Sequence, residues 1–553
     1  MAPAEFSELA AWACSVRLAD IPESVMYAAR SQTLSVLGSI YSGAHSAPGK
    51  ACRAAANSLG TSGQSTVLPH GDKVSALAAV LTNAAYSMVH DFDDYMFLGH
   101  TGHSAVLASL AVAEECDSTV EELLIAEVIA NELAGRLGAF VAIGPQNGQM
   151  WSHIHLAASA AAACRLRGLD EEQTAHAMSI AFYMPPFALF PGFFGSDAKV
   201  LTAAWPCAIG LYAAALAGEG MRGAPAILNH RQGFAARFSF VPLPELLGGL
   251  GDAWVTDSLS CKIYPGCAYI DGPVDAALAA TGGRPLDPSR IERIEIAGTA
   301  LTAGMERLGE SAAPAMSLDP IAINFSARRS VALALMHGSL TPPIVEAAEE
   351  QADAVRGLAA NTRLRESGVL TANMFEGLGR AVRLPDLALQ IGLDRFWSAR
   401  HEIRGAYGSI LQRESGDDSA RPKKQRKRVR RSTLHRARNG LGLASRAVRA
   451  LAGARRGFDM SAADFSRLQF RFGAEVSVYM RDGSVLSGSA DIPLGAAGRP
   501  PAEMRALMLR KFAVEGGGEQ LATELENMME PGGWKASARE LTAKLSQGAV
   551  ASN

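Results

Sequence analysis

From Phe6 to Leu246 the apolar residues recur at three- and four-residue spacing, or fill the chain all round, as in helices that bury one another in layers. The pattern predicts helices over Ser24 to Gly38, Val74 to Val89, Ser104 to Glu115, Val120 to Leu137, His153 to Arg167, Glu171 to Phe182 and Leu201 to Ala217. An alanine run from Ala157 gives small faces that let neighbours approach closely. After Tyr264-Pro265 the texture changes. Ile291 to Ala297 alternates apolar and charged residues like a half-exposed strand, and Ala474 to Leu486 reads as a hairpin turning at Asp482-Gly483. Helical patterns lie between them at Phe325 to Met336 and Pro343 to Leu358, and Pro500 to Leu545 returns to helix. The fold class expected is mainly α: a large all-helical body and a smaller α+β domain.

Size and composition fit that reading. A chain of 553 residues exceeds one ordinary core, and 48% hydrophobic against 19% charged residues suits extensive buried helix surface. A net charge of -3 provides no global field toward nucleic acid or an anionic membrane. The seven cysteines are odd in number and widely spaced, reading as reduced thiols of a cytoplasmic protein rather than a disulfide framework. The N-terminus has no basic start followed by an apolar block, so no secretory signal is expected. The apolar stretch from Val200 is Ala-rich and interrupted by Pro206, which favours a buried helix over a membrane span. One segment stands apart: Arg421 to Arg438 is strongly basic and free of acids. It is the one candidate nucleic-acid contact, but no interleaved aromatics accompany it, and a solvated insertion is the plainer reading.

The chemistry concentrates between His90 and His103, where three carboxylates and three imidazoles fall within fourteen residues, just ahead of the apolar run Ala105 to Ala113. An apolar wall tunes the ionisation of such groups. Proton transfer and metal binding both start from this stretch; proton transfer is favoured. The aspartate-rich DFDDY also fits a magnesium motif, and His90, His100, His103, His153 and His155 fit a zinc set. No matching second magnesium motif is present.

Several separated pieces resemble the MmgE/PrpD family in order. They are Asp91-Phe92-Asp93-Asp94 followed by His100; Glu132 and Arg136; Gly195 to Lys199; Gly233-Phe234; Lys262-Ile263-Tyr264-Pro265-Gly266-Cys267; Phe325-Ser326; and Lys511-Phe512. The resemblance implies a helical domain made of residues 1–265 and 500–553, an α+β lid domain of residues 266–499 with a basic insertion at about 395–465, and a cleft between them. It also implies a homodimer and a lyase, a dehydratase or decarboxylase with an epimerase as close variant, that uses neither metal nor iron–sulfur cluster. Such an enzyme forms a carbanion or enediolate beside a substrate carboxylate.

On that resemblance, His100 is the expected general acid/base and Asp91 its orienting partner. Lys199 and Lys262 are the expected cations for a substrate carboxylate, and Tyr95, Asp94, Gln149 and His153 complete the expected binding set. The departures matter too. Tyr95 stands where a small residue is common, Thr101 follows His100 where proline is usual, and His103 replaces a common glycine. Gln149 stands where members often carry a second histidine, with His153 one helical turn later to substitute for it. The changes at 95 and 149 imply a substrate other than methylcitrate or cis-aconitate, and a degenerate member acting as a binding protein is the remaining alternative.

Overall fold

The structure, a computed structural model, describes residues 5–59, 62–145, 152–313, 316–411 and 457–548; Gln149 and the basic segment Arg421 to Arg438 lie outside them. The helical body forms as the periodicity predicts. Helices run over Glu23–Ala44, Ala76–Met88, Gly102–Cys116, Val120–Phe140, Ile154–Leu166, Glu171–Ala181 and Leu201–Gly218. Local chemistry sets their ends. Thr119 and Glu122 close a capping box at the start of Val120–Phe140, and Asp117 ends Gly102–Cys116 in the left-handed region at φ 56°. Side chains of these helices merge into one large core. The small faces do what the alanine run predicts: a Cβ added at Gly210 would lie 2.0 Å from Ser159 Oγ, so Leu201–Gly218 and Ile154–Leu166 cross almost backbone to backbone. The segment Asp197–Gly218 is the one candidate among the described residues apolar and long enough to cross a membrane, and 67% of its apolar window is buried inside the protein.

The α+β part centres on a four-stranded sheet in the order Thr362–Glu366, Ile291–Gly298, Ala474–Met480, Val485–Ala490. The first pair is parallel, with Ile296 opposite Leu364, and the others are antiparallel. The hairpin turns at Asp482-Gly483 as expected, with Gly483 at φ 88° and the Ser484 N–H donating to Asp482 Oδ1. The inward side chains Ile294, Ile296, Val476 and Val478 pack with Ala276 and Ala277 of helix Asp271–Thr281. The expected helix over Pro343 to Leu358 is broken into Pro342–Glu346, Ala348–Gln351 and Ala352–Ala360. The last helices, Pro501–Phe512, Gly518–Met529 and Ala538–Gly548, rejoin the N-terminal body, where Met508, Phe512, Leu525 and Leu545 enter the main core and Phe512 meets the Tyr41 ring edge-on.

Candidate active site

Helix Ala76–Met88 ends at a turn, Val89 to Asp93, whose backbone follows no repeating geometry; Asp91 sits at φ 50°, uncommon for a residue with a side chain. Peptide carbonyls in such a turn need partners from elsewhere, and each of seven in a row has one. Met88 O accepts from Lys199 Nζ (3.0 Å), Val89 O from Asn324 Nδ2 (2.9 Å), His90 O from the Gly266 N–H (2.8 Å) and Asp91 O from Lys262 Nζ (2.9 Å). Phe92 O accepts from Lys511 Nζ and Ser39 Oγ, Asp93 O from the Lys262 N–H (3.0 Å) and Ser35 Oγ (2.9 Å), and Asp94 O from His100 Nδ1 (2.8 Å). Segments far apart in sequence are thereby fixed around one turn.

The side chains form a charge cluster. Lys262 Nζ, fully buried, lies 3.0 Å from Asp91 Oδ1 and 2.9 Å from Asp93 Oδ1. With its bond to Asp91 O, it has three acceptors for three N–H groups. Lys199, equally buried, donates to Met88 O and stands 3.8 Å from Asp91 Oδ2, too far for a hydrogen bond, so two of its N–H groups are uncommitted among the described residues. Burial lowers both lysines; for Lys262 the two aspartates more than reverse it and hold the ammonium above its usual range, whereas for Lys199 Asp91 compensates only partly. Burial likewise pushes Asp91 and Asp93 up. Lys199 and Lys262 overcome it at Asp91, and His103 and Lys262 at Asp93, so both carboxyls stay below their usual range. Asp94 goes the other way, pushed up to about 6 by burial and by the neighbouring Asp93.

His100 stands at the rim, its side chain 23% exposed. A carbonyl only accepts, so the contact of Nδ1 with Asp94 O places the proton on Nδ1 and leaves Nε2 as the basic nitrogen. Nε2 has no hydrogen-bond partner among the described residues. The structure therefore brings His100, Lys199, Lys262 and Asp91 around one turn, with one change of role. The carboxylate beside His100 is that of Asp93, 3.5 Å from Nδ1, while Asp91 serves the two lysines.

The expected binding set fares differently. Asp94 accepts from Gln32 Nε2 (2.8 Å) and from the Gly102 N–H (3.0 Å), so its carboxylate fixes the start of helix Gly102–Cys116 rather than facing a ligand. Tyr95 packs into an aromatic cluster with Phe470 and Phe472, 5.0 and 6.0 Å between ring centroids, and fills core space. His153 presses its ring on Phe234, 5.0 Å away, and burial pushes it down to about 3. The histidine that reaches the cluster is His155. Its Nδ1 is 2.8 Å from Ser104 Oγ and its ring 5.8 Å from that of His103, whose Nε2 lies 3.0 Å from Asp93 Oδ2. Burial, then His103 and His100, push His155 well down, so it is a neutral imidazole near pH 7. His103 and His155 were grouped with His100 in the sequence only as a metal set, and here they stand as imidazoles beside Asp93; Asn324, one position before Phe325-Ser326, is the neighbour that sequence reasoning did not place here.

Asp91, Asp93 and His100 also present ligand atoms within 4.8 Å of one another, as a metal cluster would. The Lys262 ammonium bridges the two carboxylates at contact distance, through Asp91 Oδ1 and Asp93 Oδ1. The cysteines are free thiols, as expected from their spacing.

A helical protein that sinks two ammonium groups against two carboxylates, with an open imidazole nitrogen at the rim, is equipped for acid–base chemistry on anions. Residues 7–245 match the MmgE/PrpD N-terminal domain, which bears out the resemblance drawn from the sequence. Cis-aconitate decarboxylase of Aspergillus terreus is 25% identical over 297 residues, 50% of this chain and 60% of the relative. The protein of that name from A. terreus strain NIH 2624 / FGSC A1156 is 25% identical over 288 residues, 49% of this chain and 59% of the relative. The chain thus spans about 60% of the length of the curated relatives it matches.

Proposed function

We propose that the protein is a cofactor-independent lyase, a dehydratase or decarboxylase acting on a carboxylic acid through an enediolate or carbanion. The observation that carries this is the pairing of Lys199, with two uncommitted N–H groups, and His100, with an open Nε2, on the same fixed turn. The ammonium takes the substrate carboxylate and stabilises charge as it builds on the oxygens. The imidazole removes a proton from the adjacent carbon, or delivers one to it after CO₂ has left. Lys262 keeps Asp91 and Asp93 ionised and in place, and Asp93 steadies His100 during protonation. A group that must move no charge at the moment of reaction costs little reorganisation, which is the use of so many fixed carbonyls.

The test is turnover of a panel of carboxylic acids followed by mass spectrometry, with loss of water or of CO₂ as the positive result and a chiral assay where the mass is unchanged. Lys199→Met and His100→Asn should abolish turnover while leaving the circular dichroism spectrum as in the parent, and EDTA should leave rates unaltered. Parental rates in both variants would sink the proposal; sensitivity to EDTA would redirect it to a metal enzyme.

A further inference from the structure

A hollow of about 750 Å³ lies between the helical body and the α+β part, and none of its lining residues belongs to the turn from Met88 to Tyr95. The body supplies Glu23 from the start of helix Glu23–Ala44, Asp257 and Leu259 from the segment ahead of Ser260–Cys261, and Met504 from helix Pro501–Phe512. The α+β part supplies Arg380, Arg467, Leu468 and Arg499. Its volume is in the range of small-molecule sites.

The charges around the hollow are of both signs, and most are not spent on one another. Arg499 is committed: Nε and Nη2 donate to Glu503 Oε1 (2.9 and 2.7 Å) and Nη1 to Ile492 O (3.2 Å). Arg380 comes no nearer than 3.9 Å to Glu376, and the Arg467 side chain has no hydrogen-bond or ion-pair partner among the described residues. On the body side the Glu23 carboxylate is unpaired in the same sense, and Asp257 has the Ser24 hydroxyl but no lysine or arginine among the described residues. Burial pushes the Asp257 carboxyl up to about 6, with Glu132 and Asp464 adding to it against the Ser24 hydrogen bond. Two open guanidinium groups thus come from one part of the molecule and two carboxylates without a cation from the other, with the hollow rather than direct salt bridges between them. Leu259, Leu468 and Met504 add buried apolar surface to the lining.

We infer that this hollow binds a short zwitterionic chain of about dipeptide size, its carboxylate on Arg467 and Arg380, its ammonium on Asp257 and Glu23, and its apolar side chains on Leu259, Leu468 and Met504. A dipeptide carries its two terminal charges on opposite ends of one backbone, as two walls of opposite sign require, and once bound it ties the two parts of the molecule together. The site is separate from the catalytic turn, so its occupancy does not depend on the lyase reading.

The experiment is isothermal titration of the full chain at low ionic strength and neutral pH with four probes: leucylphenylalanine, its N-acetyl form without the ammonium, its C-terminal amide without the carboxylate, and glycylglycine without the apolar side chains. Leucylphenylalanine should bind roughly tenfold tighter than each of the other three. In Arg467→Met its advantage over the amide should shrink to about threefold or less, and in Asp257→Asn its advantage over the acetylated form should shrink likewise. Arg467 is exposed, so Arg467→Met should melt with the parent. No measurable binding of leucylphenylalanine, blocked forms that bind as tightly as the free dipeptide, or parental selectivity in both variants would each overturn the inference. Lys199→Met should bind the dipeptide as the parent does; loss of binding there would put the peptide at the catalytic turn and overturn this inference, whereas parental turnover in that variant bears on the lyase proposal alone.

Discussion

Lys199 and Lys262 carry the same ammonium and meet the same aspartate, yet removing them should do opposite things. Among the described residues Lys262 is the sole lysine or arginine within hydrogen-bond reach of both Asp91 and Asp93, so Lys262→Met takes the shared ammonium from two buried carboxylates. Breaking a buried pair from one side typically costs about 3–5 kcal/mol, and chemical denaturation should register a loss of that order. Lys199→Met leaves Asp91 paired with Lys262 and Met88 O still accepting from the Asp91 N–H (3.3 Å), so it removes one hydrogen bond, for roughly 1–2 kcal/mol. We expect Lys199→Met to be folded and inactive and Lys262→Met to be poorly folded; equal stability of the two would refute this division. The family resemblance picked out both lysines but could not separate them, because the number of acceptors around an ammonium is a property of the folded turn alone.

Among elements, the turn from Met88 to Tyr95 was the most legible part of the site, since so many titratable groups ahead of an apolar run have few bland explanations. Which way each side chain faced was less so. Asp94 and Tyr95 lie in a two-residue strand paired with Ser260–Cys261, and consecutive strand residues face opposite ways. Tyr95 therefore fell to the aromatic core and Asp94 to the helix start. His153 failed as a substitute for a related reason. The helix begins at Ile154, so a one-turn spacing counted from 149 does not carry across its start, and it is His155 that faces His103.

Gly102 is the tightest junction of turn and helix. A Cβ there would fall 2.0 Å from Asp94 Oδ1 and 2.5 Å from Val36 Cγ2. Gly102→Ala should push Asp94 off its cap at a cost of about 1–3 kcal/mol and lower turnover, because His100 is held by the Asp94 carbonyl. Ala at the neighbouring cap position, Thr101→Ala, removes the 3.0 Å bond from Gln32 Nε2 and long contacts to Asp94 (3.5 Å) and Met96 (3.6 Å) but adds no atom, and serves as the comparison. A Gly102→Ala protein with parental melting temperature and rate would show that the junction yields freely.

At the scale of the whole molecule the two ends of the chain meet behind the site. The helical periodicity announced the body and the final helices, whereas strand Thr362–Glu366 was hidden because T-R-L-R-E offers one apolar side chain and depends on its parallel neighbour Ile291–Gly298. The meeting of the ends runs through Lys511, whose ammonium sits 3.7 Å from the Phe92 ring centroid and donates to Phe92 O and Lys262 O, 419 and 249 residues away in sequence. Burial pushes Lys511 down to about 8, with Cys261 and Asp93 opposing. The sign of the consequence follows from proton counting. Between about pH 8 and the ordinary lysine value near 10.4, the unfolded chain holds a proton that folded Lys511 has released. Raising the pH through that window therefore favours the fold, by up to about 1.4 kcal/mol per pH unit from this group. Below it both states are protonated and the contribution is constant. Other groups titrate in the same range, so the measurement is a difference: unfolding free energy of the parent minus that of Lys511→Met, taken at steps from pH 7.5 to 10.5 by urea denaturation. That difference should climb with pH and then level off. A flat or falling difference would mean that the ammonium rests in the turn without strain.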